Sequence, residues 1–132
     1  MEKIKTMSFE EAWEYNNNVC VNKEEIEADE EKRQQEINLA VNNWNWCIDR
    51  YEHSKNKILQ ELVEVLKDND SLESLIIKFE PIEDFVKRIG YIVKFTAWSE
   101  NWVYVCGEYD GNLWVEAISR NPSDYLIEPI GG

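Results

Sequence analysis

The sequence predicts an α+β fold, with N-terminal helices, one of them long or broken, packed on a three- to four-stranded antiparallel sheet. Three observations carry that reading. Residues 23–67 contain no Gly and no Pro and repeat apolar side chains every three or four positions. From Tyr91 the apolar period shortens to two. Asp110–Gly111 then interrupts two strand-like runs with the residue pair best suited to a two-residue hairpin turn.

The elements follow in order. Ser8 and Glu11 have capping-box spacing, and Phe9, Ala12 and Trp13 share a helical face. Asn16–Asn17–Asn18 ends that helix, because short amides compete for backbone hydrogen bonds. Val19–Cys20–Val21 reads as a brief strand or an extended connector, and Asn22 with Glu25 offers a second cap. Beyond it Ile37, Val41, Trp44, Ile48, Tyr51, Ile58, Leu62 and Val65 form the long stripe. An uninterrupted helix over these 45 residues would reach about 67 Å, too long for a domain of this size. The expectation is a break near His53–Ser54, fraying before Ile37, or a helix used in dimerisation. Asp68–Asn69–Asp70–Ser71 is a turn, and Leu72, Leu75, Ile76 and Phe79 read as a short helix or irregular packing segment. Pro81 opens another helix with Ile82, Phe85, Val86 and Ile89 inward, and Gly90 ends it.

Strands are expected over Tyr91–Trp98, Trp102–Tyr109 and Asn112–Ile118, with Tyr125–Leu126–Ile127 as a short fourth at the edge. A tight Asp110–Gly111 turn sets Cys106 against Val115 and Tyr104 against Ala117, with Val105 opposite Glu116 and Val103 opposite Ile118. If Glu100–Asn101 is also a two-residue turn, Val93, Phe95, Ala97, Tyr104, Cys106, Val115 and Ala117 share the core face. Trp98, Val103, Trp114 and Ile118, beside Thr96 and Glu116, occupy the other face, either as an interface or as a second layer of core. One domain spans 1–132, with a helical part at 1–89 and a sheet part at 90–128.

Charge narrows the function classes. With 27 acidic and 14 basic side chains the formal net charge is −13, which disfavours direct nucleic-acid binding and docking on anionic membranes. No run approaches the apolar length of a membrane span, and the start lacks an apolar signal core, so a cytoplasmic protein is expected. Three widely spaced cysteines, Cys20, Cys47 and Cys106, do not form a disulfide framework. With one histidine, His53, they supply no metal spacing, and no cofactor or metal is expected. Phosphate-binding glycine loops and nucleophile elbows are absent. Asp49 and His53 can meet on one helical face, but a lone histidine there is better explained as a surface residue. Glu83–Asp84 suits a helix start. No catalytic residues are assigned.

The acidity is uneven. Residues 37–94 carry a net −2, while residues 1–36 carry −6 and residues 95–132 carry −5. Glu24, Glu25, Glu27, Asp29, Glu30 and Glu31 form the densest run; Glu100, Glu108, Asp110, Glu116, Asp124 and Glu128 form a second group. Solubility and helix-start electrostatics explain part of this. The functional reading is an anionic surface presenting carboxylates in place of phosphates to a basic partner, with aromatic anchors supplying specificity. The anchors are drawn from Trp13, Trp98, Trp102, Tyr109 and Trp114. The partner-binding set so defined is Glu24, Glu25, Glu27, Asp29, Glu30, Glu31, Trp98, Glu100, Trp102, Glu108, Asp110, Trp114 and Glu116.

In general character such a chain resembles the small acidic inhibitors encoded by phages and mobile elements, and the immunity proteins that neutralise nuclease toxins. Met7–Ser8–Phe9–Glu10–Glu11–Ala12 resembles the M-[ST]-F-x-x-A start of some small phage proteins that sequester nucleotide signals. Those continue into a basic segment where Lys23 here leads into acids, and no function is carried across. The leading expectation is an anti-defence or immunity-type inhibitor of a nuclease or other nucleic-acid-binding protein. The alternatives are a homodimeric scaffold or small-ligand module built around the long helix, the dimer assembling through Ile37, Trp44, Tyr51, Ile58 or Leu62, and a small enzyme with an unrecognised carboxylate site.

Overall fold

A computed structural model describes residues 2–120. The helices are α1 (Phe9–Asn16), α2 (Lys23–Ala28), α3 (Glu30–Val65) and α4 (Ile82–Lys87), with a 3₁₀ turn at Leu72–Ser74. The strands are β1 (Ile76–Phe79), β2 (Phe95–Trp98), β3 (Trp102–Tyr109) and β4 (Asn112–Ser119). The fold is α+β, and its four strands form one antiparallel sheet in the order β1-β2-β3-β4. The chain divides into two units: residues 1–50 with 82–90, and residues 51–81 with those from Tyr91 onward.

In the first unit the predicted α1 capping box is complete. The Glu11 N–H donates to Ser8 Oγ at 3.1 Å and the Ser8 N–H donates to Glu11 Oε1 at 3.2 Å. Asn17 ends the helix in the left-handed region at φ 54°, a conformation asparagine tolerates. Its neighbours tie that end to α3, as the Asn16 and Asn18 amides donate to Glu36 Oε2 at 2.9 and 2.6 Å. The Asn45 amide accepts from the Ile4 N–H and donates to the Ile4 carbonyl, both at 2.8 Å. Ala40, Val41, Cys47 and Ile48 on α3 and Ile82, Phe85 and Val86 on α4 are buried.

The interruption of the long helical stretch falls at Asp29, not at His53–Ser54. Asp29 ends α2, and its Oδ1 accepts the N–H groups of Glu31 and Lys32 at 3.0 and 3.2 Å, capping α3. From there α3 runs 36 residues without a break. Ser54 is no breaker. It is buried, and its Oγ accepts the Val93 N–H at 2.9 Å.

In the second unit Tyr51, Ser54, Ile58 and Leu62 lie on one buried face of α3, which packs on the sheet. Tyr51, Ile58 and Leu62 are therefore core residues within the chain. The Tyr51 hydroxyl donates to the Glu80 carbonyl at 2.6 Å. The segment expected to be helical or irregular is instead the edge strand β1, pairing Ile76 with Trp98 and Phe79 with Phe95. The strand expected from Tyr91 begins only at Phe95. The Val93 N–H goes to Ser54 instead of a ladder partner, and Tyr91 is 64 % exposed. The β3–β4 register is the expected one, Cys106 opposite Val115 and Tyr104 opposite Ala117. Ala97 faces Tyr104, and the Ser99 N–H donates to the Trp102 carbonyl, so Glu100–Asn101 is a two-residue turn. Ala97, Tyr104 and Val115 are buried on the shared face. The fourth strand expected at Tyr125–Ile127 lies outside the described residues.

Candidate interaction surface

The sheet is uneven in length, and this sets the geometry of the surface. Strands β3 and β4 have eight residues each, while β1 and β2 have four. The far half of the β3–β4 hairpin therefore continues past the end of β2. At its tip Asp110 has φ 51° and Gly111 φ 80°, the two successive positive values that a type I′ turn requires. Tyr109 is 61 % exposed there, with Glu108 and Asp110 also exposed.

The pleat separates the residues into two faces. Opposite the core lies a cross-strand row, Ile76–Trp98–Val103–Ile118, running over all four strands. None of its members is buried, and Ile76 is 55 % exposed. Further along the hairpin, Gly107 pairs with Trp114 and Val105 with Glu116 on the same face. The Trp114 ring lies directly over Gly107: a Cβ there would fall 2.3 Å from Cε2 and 2.4 Å from Cζ2. Its Nε1–H donates to Glu116 Oε1 at 3.1 Å. Ring and carboxylate are thus fixed by a backbone position that has no side chain.

The candidate residues divide accordingly. Glu24, Glu25, Glu27, Asp29, Glu30 and Glu31 are all exposed, but they belong to the first unit and are presented from two helices. Asp29 is already engaged as a cap. Glu100 is exposed in the β2–β3 turn, and Glu108 and Asp110 are exposed at the hairpin tip. Trp98, Trp114 and Glu116 share the outer face, half-buried. Trp102 is on the opposite face: its Nε1–H donates to Asp68 Oδ2 at 2.7 Å and Lys67 Nζ lies 5.8 Å from its ring. It serves to hold the end of α3 against β3. Gly107 was not among the sequence candidates, although a glycine inside a strand signals close approach of another group.

Tyr104, buried on the core face, donates to Asp70 Oδ2 at 2.6 Å and accepts the Lys67 N–H at 3.0 Å. Burial, reinforced by the Asp70 hydrogen bond, pushes its phenol up to about 12. Burial and then the Glu108 charge push the Cys106 thiol up to about 11, against the thiolate a nucleophile needs. Tyr15, 3.9 Å from buried Cys47, is also raised, chiefly by burial. His53 is exposed on α3, in a shallow recess with Asn56, Lys57, Gln60 and Glu61. Among the described residues no three His, Cys, Asp or Glu side chains are placed to hold a metal ion, and no helix is long and apolar enough to cross a membrane.

Comparison with protein-family models, curated proteins and solved structures gives no match.

Proposed function

We propose that this protein is a small acidic inhibitor that binds and blocks a basic nucleic-acid-handling protein, as anti-defence and immunity proteins do, in a cytoplasmic setting. The observation that carries the reading is the β3–β4 hairpin, whose far half extends past β2 and offers Glu108 and Asp110 with Tyr109 and Trp114, while Glu116 follows Trp114 along the outer face. A projecting acidic and aromatic arm suits a groove shaped for nucleic acid, where carboxylates meet the cations that otherwise meet phosphates. Between Lys94 and Arg120 the sequence has no cation to neutralise it. The exposed run Glu24–Glu31 adds long-range attraction and raises the association rate.

The experiment is capture of binding proteins from the native host, followed by affinity measurement with the purified partner. A nuclease or other nucleic-acid-binding protein is expected. Its complex should weaken steeply with salt and be displaced by the partner's own nucleic acid. Reversing Glu108, Asp110 and Glu116 to Lys in a correctly folded variant should lower affinity at least tenfold. Binding that is insensitive to salt and to this reversal overturns the proposal.

A further inference from the structure

Resting on that reading, we infer that Trp114 and Glu116 form a preformed cradle for a guanidinium side chain of the basic partner. The geometry is that of a two-sided cation receptor. Trp114 rests on Gly107 with its ring orientation fixed by the hydrogen bond to Glu116. A planar guanidinium stacks on an indole face and donates to a carboxylate in the same pose, which an ammonium does less well. Glu116 Oε1 accepts the indole N–H and the carboxylate retains further acceptor capacity.

The other tryptophans of this unit's sheet make the contrast. Trp98 has Lys78 Nζ 5.9 Å from its ring, and Trp102 has Lys67 Nζ at 5.8 Å. Each indole is already served by a cation of its own chain. Trp114 instead has a carboxylate at its N–H and, among the described residues, no cation over its ring. The two bases at the sheet's margins, Lys78 on the opposite edge strand and Arg120 just past β4, are committed elsewhere, Lys78 to Trp98 and Arg120 through Nη1 to the Ser99 carbonyl. An indole held flat beside an anion, with no cation of its own chain over it, is complementary to a cation from outside.

The test uses the full chain with hexa-arginine and hexa-lysine as probes at matched low ionic strength, followed by NMR of the indole N–H resonances. Hexa-arginine should move the Trp114 indole resonance and bind more tightly than hexa-lysine. Glu116→Gln keeps an oxygen to accept the indole N–H while removing the charge, and should weaken hexa-arginine about three- to tenfold. Trp114→Leu should weaken it similarly. If the leucine variant misfolds, the glutamine variant and the resonance shift carry the test. Hexa-arginine binding with the Trp114 resonance unmoved and Glu116→Gln unchanged overturns the cradle and leaves the acidic-inhibitor reading standing. Failure of both peptides to bind overturns both.

Discussion

Adding one methyl group at Gly107 tests whether the Trp114 ring is held where the hairpin places it. The new Cβ would lie 2.3 Å from Trp114 Cε2 and 2.6 Å from Nε1, where carbon atoms prefer about 3.5–4.0 Å. The ring must therefore retreat by more than an ångström or β3 must bend. Overpacking of this kind costs about 1–3 kcal/mol. Gly107 is outside the left-handed region, so alanine is conformationally compatible and returns about 0.4–1 kcal/mol through the unfolded chain. The net expectation for Gly107→Ala is a loss of up to about 2.5 kcal/mol, read as a lower urea midpoint by far-UV circular dichroism at unchanged slope. The decisive arm is the same substitution in a Trp114→Ala background, where nothing remains to clash. There Gly107→Ala should be neutral or stabilising, giving a coupling of about 1–3 kcal/mol. An equal loss in both backgrounds would refute the argument, since the methyl would then be clashing with something other than the indole.

Two further outcomes follow from groups outside the hairpin tip. Tyr104→Phe deletes a bond to a carboxylate and orphans the Lys67 N–H, and should cost about 1–3 kcal/mol in the same denaturation assay. The Tyr104 phenol is raised in the folded state to about 12, above its ordinary value near 10. Its contribution is therefore complete below about pH 10 and lost as pH rises toward 12; tyrosinate absorbance against pH should show Tyr15 and Tyr104 titrating late, and Tyr104→Phe should remove one of the two. For the thiols, exposed Cys20 should react with iodoacetamide at pH 8 well before buried Cys47 or Cys106, whose thiol is pushed up to about 11. Mass mapping of early adducts checks this, and first labelling at Cys106 would contradict its assigned environment.

The hairpin was the most legible part of the chain because its register depends on local chemistry alone. Once Asp110–Gly111 is a two-residue turn, Cys106 must face Val115 and every other pair follows. The long helix was harder for an equally physical reason. A Glu-rich stretch favours helix on both sides of Asp29, which hides a capping residue inside it, while Ser54 in an apolar stripe looks like an interruption when its partner, the Val93 N–H, is 39 positions away. Strand β1 is four residues, Ile76–Ile77–Lys78–Phe79, too short for its period to separate strand from helix. At the surface, the register alone puts Trp114 opposite Gly107. Alternation along β3 likewise puts Trp102 on the face of Tyr104 and Cys106. What sequence withheld was the ring lying over that glycine and the bond from Trp102 to Asp68, because both depend on side-chain direction across strands or elements.

The first unit has its own consequence for biosynthesis. Its segments, 1–50 and 82–90, are separated in the chain by 31 residues of the other unit, and the first crossing occurs inside α3, with no linker. A ribosome that has delivered only α1, α2 and α3 has not yet supplied Ile82, Phe85 and Val86, which are buried in the finished molecule. The two units consequently cannot mature in simple N-to-C succession, as beads on a string do. The N-terminal helices must wait, incompletely packed, until residue 90 has left the exit tunnel. Nor can either unit be obtained by cutting the chain once.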